Sequence, residues 1–136
     1  MQDQFLGKWQ LVESEKFDEY MKEVGVGLLT RKAAGSMKPL MEITIENGKW
    51  KLHSTTTMKS HTLEFELGQE TDTTTADGRK MKSVFTLGDD GKLIQKESKI
   101  SSSDKDSTIT RYVEGNKLVT VLESGNVVSK RIYEKQ

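Results

Sequence analysis

From residue 40 onward, apolar and polar residues alternate with a period of two, and turn-forming residues interrupt the alternation at short intervals. Met41, Ile43 and Ile45 alternate with polar residues in this way, and Asn47-Gly48 then marks a hairpin turn. Each interval predicts one strand, because successive side chains of a strand point to opposite faces. With residues 5–14 included, the pattern predicts about ten strands, most of them joined by hairpins. Closure would remove the exposed edges of such a meander, so we predict an all-β, antiparallel up-and-down barrel.

The segment before Pro39 has a different texture. Four apolar residues recur at the i, i+3, i+4, i+7 spacing of an amphipathic helix, namely Phe17, Tyr20, Met21 and Val24. A second short helix is predicted over residues 27–34, ending at Gly35-Ser36, and Pro39 forbids its continuation. The sequence therefore predicts a helix-turn-helix between the first two strands.

Composition and charge exclude several classes of protein. The 136 residues suffice for one domain, residues 1–136, and 21 Lys and Arg balance 21 Asp and Glu, which argues against nucleic-acid binding. The sequence has no cysteine, no signal peptide and no apolar stretch near the ~20 residues that span a bilayer. We expect a cytoplasmic monomer with no metal and no other cofactor.

The apolar content is low, at 33% of the residues. Either the core is thin, or part of the interior is not packed. On the more apolar strand faces, hydroxyl residues such as Ser54, Ser83 and Thr120 alternate in register with Leu and Phe. Because hydroxyls buried in a dry core would each need a partner, this mixture favours an interior that holds water and a ligand.

Two arginines share strand faces with apolar residues. Arg131 lies on the face of Tyr133, and Arg111 lies on the face of Ile109 and Val113. An arginine keeps its proton, so one that points inward needs an anion or hydrogen-bond acceptors. Together, Arg111, Arg131 and Tyr133 predict a site for a carboxylate.

Two alternatives remain open for these arginines. Both could lie on the outer face in surface ion pairs, as most arginines in strands do. Both could instead turn inward and be neutralised by an acidic residue of the protein such as Glu97, which would leave no role for a ligand.

Blocks of sequence along the whole chain match a known family. They include Phe5-Leu6-Gly7-Lys8-Trp9 with Phe17-Asp18-Glu19-Tyr20-Met21-Lys22 near the start, Thr75-Ala76-Asp77-Gly78-Arg79-Lys80 in the middle, and Lys130-Arg131-Ile132-Tyr133-Glu134-Lys135 at the end. With these motifs the chain resembles the intracellular lipid-binding proteins, which comprise the fatty-acid-binding and cellular retinoid-binding proteins.

The resemblance implies a ten-stranded β-clam of two orthogonal sheets, capped by the helix-turn-helix, around a large cavity. It implies that Arg131 and Tyr133 hold the ligand's carboxylate directly, with Arg111 acting directly or through water. Retinol-type members place glutamines at the two arginine positions, so a long-chain fatty acid is the expected ligand. Retinoic acid or another hydrophobic carboxylate is the alternative.

The resemblance also assigns six residues to the cavity lining and its entrance: Phe17, Tyr20, Met21, Met41, Met58 and Asp77. Met41 stands where fatty-acid binders often carry a threonine of the head-group network, which puts the indirect contact to Arg111 in doubt. Met58 stands where they often carry a phenylalanine. The helical cations Lys22, Arg31 and Lys32 would serve transient contact with anionic membranes or nuclear import.

Two other classes of protein are less consistent with the sequence. An enzyme would have to use His53 or His61, and neither belongs to a triad or a metal-ligand cluster. A secreted lipocalin would share the Gly7-Lys8-Trp9 opening, but the missing signal peptide, the absence of cysteine and the early helices disfavour it.

Overall fold

Ten strands form one sheet in the computed structural model of this chain, which describes residues 2–136. The strands are β1 (Gly7–Glu15), β2 (Leu40–Glu46), β3 (Lys49–Thr55), β4 (Ser60–Glu66), β5 (Thr71–Thr74), β6 (Lys80–Leu87), β7 (Leu93–Lys99), β8 (Ser107–Glu114), β9 (Lys117–Ser124) and β10 (Val127–Lys135). Two helices, α1 (Phe17–Glu23) and α2 (Leu28–Gly35), lie between β1 and β2. The predicted all-β class and the position of the helix-turn-helix are both confirmed.

The strand order is β4-β3-β2-β1-β10-β9-β8-β7-β6-β5, with antiparallel pairing throughout. Pairing between β1 and β10 brings the two ends of the meander together, with Trp9 opposite Lys135. Within residues 2–136, β4 and β5 share no ladder, and we call this opening the β4–β5 gap. The result is a nearly closed ten-stranded barrel, as predicted.

Local sequence explains the tight turns. In the β2–β3 hairpin, Asn47 and Gly48 have φ values of 52° and 79°. A two-residue turn of this kind needs positive φ at both central positions, which Asn and Gly adopt at the lowest steric cost. The Asn-Gly pair therefore fixes the hairpin register, in which Glu46 lies opposite Lys49.

One end of the barrel is filled by aromatic residues. Residues 2–5 form a short 3-10 helix rather than the start of the predicted first strand, which begins at Gly7. This turn carries Phe5 into the barrel, where its ring lies 5.6 Å from that of Trp50. Trp9 Nε1 donates a hydrogen bond to the Phe5 carbonyl at 3.0 Å, so both the ring and its backbone are fixed.

The helices cover the other end. Tyr20 and Met21 of α1 and Val24 just after it are buried and pack with Leu122 of β9 and Val127 of β10. We call residues 17–35 the helical lid. Both helices match the prediction to within a residue, since α1 ends at Glu23 and α2 begins at Leu28. The helices within residues 2–136 are too short to span a bilayer, since α1 has 7 residues and α2 has 8.

Between the aromatic end and the helical lid, the interior is not packed. It contains a cavity of about 610 Å³. Buried polar residues face inward beside the apolar ones, among them Ser83, Gln95, Glu97, Thr120 and Arg131. The low apolar content is therefore the composition of a cavity wall and not of a thin core.

Candidate ligand-binding cavity

The cavity has the volume of a small-molecule site, which typically measures about 300–1,000 Å³. Its wall exposes mostly apolar surface, but many polar and charged residues also line it. All nine residues predicted from the sequence as site residues line it: Phe17, Tyr20, Met21, Met41, Met58, Asp77, Arg111, Arg131 and Tyr133.

Strand register places the two arginines on one row. Arg131 of β10 and Arg111 of β8 both lie opposite Thr120 of β9, which separates them. Two strand spacings put their backbones about 10 Å apart, within reach of one bound group for side chains of this length. Arg111 is 6% exposed and Arg131 is 7% exposed, so both point into the cavity. The alternative of outer-face ion pairs is wrong.

Arg111 has a neutral hydrogen-bond partner. Its Nη1 donates to Gln95 Oε1 at 2.9 Å. Burial lowers the pKa of the Arg111 guanidinium, while the neighbouring Tyr133, Glu97 and Tyr20 act to raise it. Within residues 2–136 it forms no salt bridge, so its charge is compensated only at a distance.

Arg131 connects the candidate site to the helical lid. Its Nη1 donates to Ser14 Oγ at 3.0 Å, and its guanidinium carbon lies 3.8 Å from the centre of the Phe17 ring. This is a close cation–π contact, and Phe17 is the first residue of α1. The Arg131 guanidinium therefore contacts the first turn of the helical lid directly.

Tyr133 lies on the same face of β10 as Arg131, two residues further along the strand, and it is 6% exposed. The arrangement brings two guanidiniums and a phenol to one side of the cavity. Glu97 also faces the cavity, but within residues 2–136 it makes no salt bridge to either arginine. Glu97 therefore acts on Arg111 only from a distance, and the two guanidiniums have no directly paired acid within residues 2–136.

The entrance lies beside the helical lid and the β3–β4 turn. Met58 is 75% exposed and Leu29 of α2 is 84% exposed, although both line the cavity. Deeper in, Ser54 Oγ donates to Met41 Sδ at 3.5 Å, a weak contact at the position where fatty-acid binders often carry a threonine. Met41 is half-buried on the wall, and within residues 2–136 its sulfur forms no hydrogen bond with Arg111.

The helical lid carries three cationic residues, of which Lys22 and Lys32 form no salt bridge within residues 2–136 and Arg31 forms one. Arg31 pairs with Asp18 at 3.1 Å and donates to the Val26 carbonyl at 2.7 Å, so it joins α1 to α2. Lys22 and Lys32 are exposed.

Asp77 lies in the β5–β6 turn at the cavity rim and is bound by a guanidinium. Arg79 donates to it through Nε at 2.9 Å and Nη2 at 3.2 Å, and Thr75 Oγ1 donates at 2.7 Å. Burial acts to raise the pKa of Asp77, but these hydrogen bonds outweigh it and hold that pKa below its ordinary value. The pair therefore forms a charged rim in which the Asp77 carboxylate accepts hydrogen bonds from Arg79 and Thr75.

Side chains bridge the β4–β5 gap where backbone pairing is missing. His61 Nε2 lies 2.6 Å from the Thr74 carbonyl oxygen, and Lys59 Nζ donates to the Ala76 carbonyl at 2.8 Å. His53, by contrast, bonds Thr62 of the adjacent strand at 2.7 Å. His61 therefore has a structural position at the edge of the entrance.

The cavity residues that the sequence reasoning did not assign to binding include Arg79, Gln95 and Glu97. In β7, Leu93 and Ile94 are adjacent and apolar, so alternation does not tell which face is inward. The structure shows that Leu93, Gln95 and Glu97 form the inward face. The register with β8, which places Gln95 opposite Ile109, would have been the needed signal.

Comparison with known proteins places the whole chain in one group. A model of the lipocalin / cytosolic fatty-acid binding protein family matches residues 6–136. Fatty acid-binding protein homolog 6 of Caenorhabditis elegans is 54% identical over 136 residues, covering 100% of both chains. The apo structure of lipid binding protein 8 from the same organism has a TM-score of 0.96 at 34% identity, covering 100% of this chain and 98% of that one.

A Schistosoma mansoni fatty acid binding protein, solved in complex with arachidonic acid, has a TM-score of 0.92 at 32% identity and covers 99% of this chain and 98% of that one. The ten strands also exceed the eight of a lipocalin barrel. The sequence resemblance is thereby confirmed, and the chain belongs to the lipocalin / cytosolic fatty-acid binding protein family.

Proposed function

We propose that this protein binds a long-chain fatty acid non-covalently in its cavity and carries it through the cytoplasm, with Arg111, Arg131 and Tyr133 holding the carboxylate. The observation that carries the proposal is the pair of buried guanidiniums, which face a mostly apolar cavity and have no acidic partner within residues 2–136. A carboxylate with a long apolar chain complements both features.

The two parts of such a ligand contribute differently. Each buried methylene is worth roughly 0.8 kcal/mol, so about ten of them supply ~8 kcal/mol before ordering costs. The head group gains less, because desolvating a carboxylate and a guanidinium offsets much of their attraction. Its role is orientation and discrimination, since an uncharged ligand would bury the arginines without a counter-charge.

The named relatives support this proposal. The Caenorhabditis elegans relative is a fatty acid-binding protein homolog, and the Schistosoma mansoni structure contains a fatty acid. The family and its members bind and transport lipids, so the protein is a binding protein and not an enzyme.

The test compares a fatty acid with its methyl ester on delipidated protein. Arg131→Ala should weaken stearate binding by about thirtyfold or more, because truncating one partner of a buried charge pair is costly, whereas binding of methyl stearate should change little. Tyr133→Phe should cost about fivefold for the acid alone. Lys130→Ala, on the exposed face of the same strand, is the matched control. Equal losses for acid and ester would refute the carboxylate site.

Competition identifies the ligand more closely. Retinoic acid shares the carboxylate, so displacement of bound stearate by retinoic acid is measured alongside displacement by other fatty acids. Mass spectrometry of the lipid that copurifies gives the natural ligand directly. Recovery of a retinoid in place of a fatty acid would overturn the proposed ligand class and leave the site intact.

The helical lid is proposed to release the ligand at membranes. Exposed Leu28 and Leu29 lie beside the cationic Lys32, a combination that suits transient contact with an anionic surface. Transfer of a fluorescent fatty acid to vesicles should accelerate when the vesicles contain anionic lipid. Equal transfer to neutral vesicles would exclude this role. Nuclear localisation would be checked by imaging a tagged chain, and monomeric state by light scattering.

A further inference from the structure

The cavity contains a second polar position that the carboxylate site does not use. Glu97 of β7 is 6% exposed and lines the cavity, and within residues 2–136 its carboxyl group makes no hydrogen bond and no salt bridge. A carboxyl group buried this way is costly unless something supplies a partner. Its position is therefore a candidate for ligand recognition.

Glu97 is separated from the carboxylate site. It lies opposite Ser107 on β8, whereas Arg111 lies opposite Leu93, four residues earlier on β7. Four residues of strand correspond to about 13 Å. Tyr20 of α1 donates to Ser107 Oγ at 2.8 Å, which places Glu97 at the lid end of the cavity. A ligand that reaches Glu97 does so with its chain and not with its carboxylate.

A second group beside Glu97 also lacks a partner. Arg79 uses Nε and Nη2 to bind Asp77, but its Nη1 is buried and has no hydrogen-bond partner within residues 2–136. Arg79 and Arg111 are the charged groups that act most strongly on Glu97. The unpartnered acceptor and the unpartnered donor thus belong to two residues that both line the cavity.

The surrounding charges select the chemistry of the group that fits. An ammonium group is disfavoured because the positive charges of Arg79 and Arg111 act on this part of the cavity, and a second anion is disfavoured by Glu97 and Asp77. Burial raises the pKa of Glu97, against the lowering effect of the two arginines, which also favours a neutral partner. A hydroxyl group suits both residues, since it donates to a carboxyl oxygen of Glu97 and accepts from an N–H of the Arg79 guanidinium.

We propose that Glu97, together with Arg79, recognises a hydroxyl group on the chain of the bound lipid, so that the cavity prefers a hydroxylated fatty acid to its unsubstituted parent. This inference rests on the proposed function, because it assumes that the carboxylate occupies the arginine site.

The test uses saturated fatty acids of equal length that each carry one hydroxyl at a different carbon, with stearate as the reference. Wild-type protein should bind one positional isomer about fivefold to tenfold more tightly than stearate, the value of one hydrogen bond to a buried polar group, and should disfavour the others. Glu97→Leu should abolish the preference and tighten stearate binding. Glu97→Gln, which keeps an acceptor, should retain part of the preference.

Glu42→Gln, an exposed glutamate on β2, is the matched control and should leave the preference unchanged. Stearate that binds without any positional preference in the wild-type protein overturns the inference, as does a preference that survives in Glu97→Leu. The wild-type comparison decides the matter even if a variant fails to fold. Failure of stearate itself to bind would instead overturn the proposed function.

Discussion

Replacing Arg111 with methionine should make the ligand-free protein more stable and the fatty acid complex weaker. The guanidinium is almost fully buried, its hydrogen-bond partner Gln95 is neutral, and it forms no salt bridge within residues 2–136. Methionine keeps the length of the side chain and its packing while it removes the charge.

The size of the effect follows from these contacts. Replacing a buried charge by an apolar group of similar volume is typically neutral or stabilising by about 1–4 kcal/mol. Against this, the variant leaves Gln95 Oε1 without its donor, which costs about 1 kcal/mol where the cavity can supply water. The net expectation is a gain of about 1–2 kcal/mol in the free energy of unfolding. Stearate affinity should fall about tenfold or more, because a carboxylate loses one of two guanidiniums.

The companion variant has the opposite sign. Gln95→Leu removes the hydrogen-bond partner and leaves the buried Arg111 charge in place, so it should destabilise the protein by about 2–3 kcal/mol. The double variant should be at least as stable as the wild type, which makes the two changes strongly non-additive. Lys130→Met, on the exposed face of β10, controls for the loss of a positive charge.

Urea unfolding of delipidated protein measures the free energy of unfolding of the wild type and of each variant, with Trp9 and Trp50 as fluorescent reporters. Calorimetry measures stearate binding. The urea dependence should stay constant across the series, because the surface exposed on unfolding barely changes. A loss of stability in Arg111→Met as large as that in Gln95→Leu would refute the reasoning, since it would mean that the guanidinium stabilises the ligand-free fold.

Three further predictions concern the cavity rim and the gap. Glu97→Gln should stabilise the protein at neutral pH, because burial raises the pKa of Glu97 and the wild type therefore loses stability as pH rises through that pKa. Urea unfolding at several pH values checks this, and a stability difference between variant and wild type that persists below the unfolded-state pKa would contradict it. Asp77→Asn should lower the free energy of unfolding by about 1 kcal/mol, because it weakens the ion pair with Arg79. Since the pKa of Asp77 is lowered, this contribution should vanish as pH falls below the ordinary value of 3.8. An acid-unfolding profile that is the same in variant and wild type would exclude a stabilising role for the pair. His61→Leu should speed fatty acid release in stopped-flow experiments, because it removes a hydrogen bond across the β4–β5 gap. His53→Leu, which lies on a neighbouring paired strand, is the control and should not change the release rate, and equal rates for both variants would show that the gap does not control release.

The fold could be predicted from the sequence because its signals are local. The alternation of Met41, Ile43 and Ile45, the Asn47-Gly48 turn and the stripe of Tyr20 and Met21 each describe one element, and a meander joins such elements in sequence order. The start of the first strand was wrong, because Phe5 ends a 3-10 helix that places it in the aromatic end of the barrel.

The candidate site was predicted in part. The alternation of side chains along each strand placed Arg111 and Arg131 on inward faces, since each has apolar neighbours two residues away on the same face. It could not place Gln95 and Glu97, because the adjacent Leu93 and Ile94 make the two faces of β7 look alike. The partner of each arginine also lies on another strand, so it depends on register, which one strand's alternation does not specify.

The pairing of β1 with β10 has a consequence for how fast the chain folds. Trp9 and Lys135 lie at nearly opposite ends of the described residues, so this ladder forms only after the chain closes a very large loop. Loop closure costs entropy that grows with the logarithm of loop length, and contacts of such sequence separation slow folding. We expect the hairpins from β6 to β10 to form early and β1 to dock last. In pulse-labelling hydrogen exchange, the amides of β1 should then be the last to become protected.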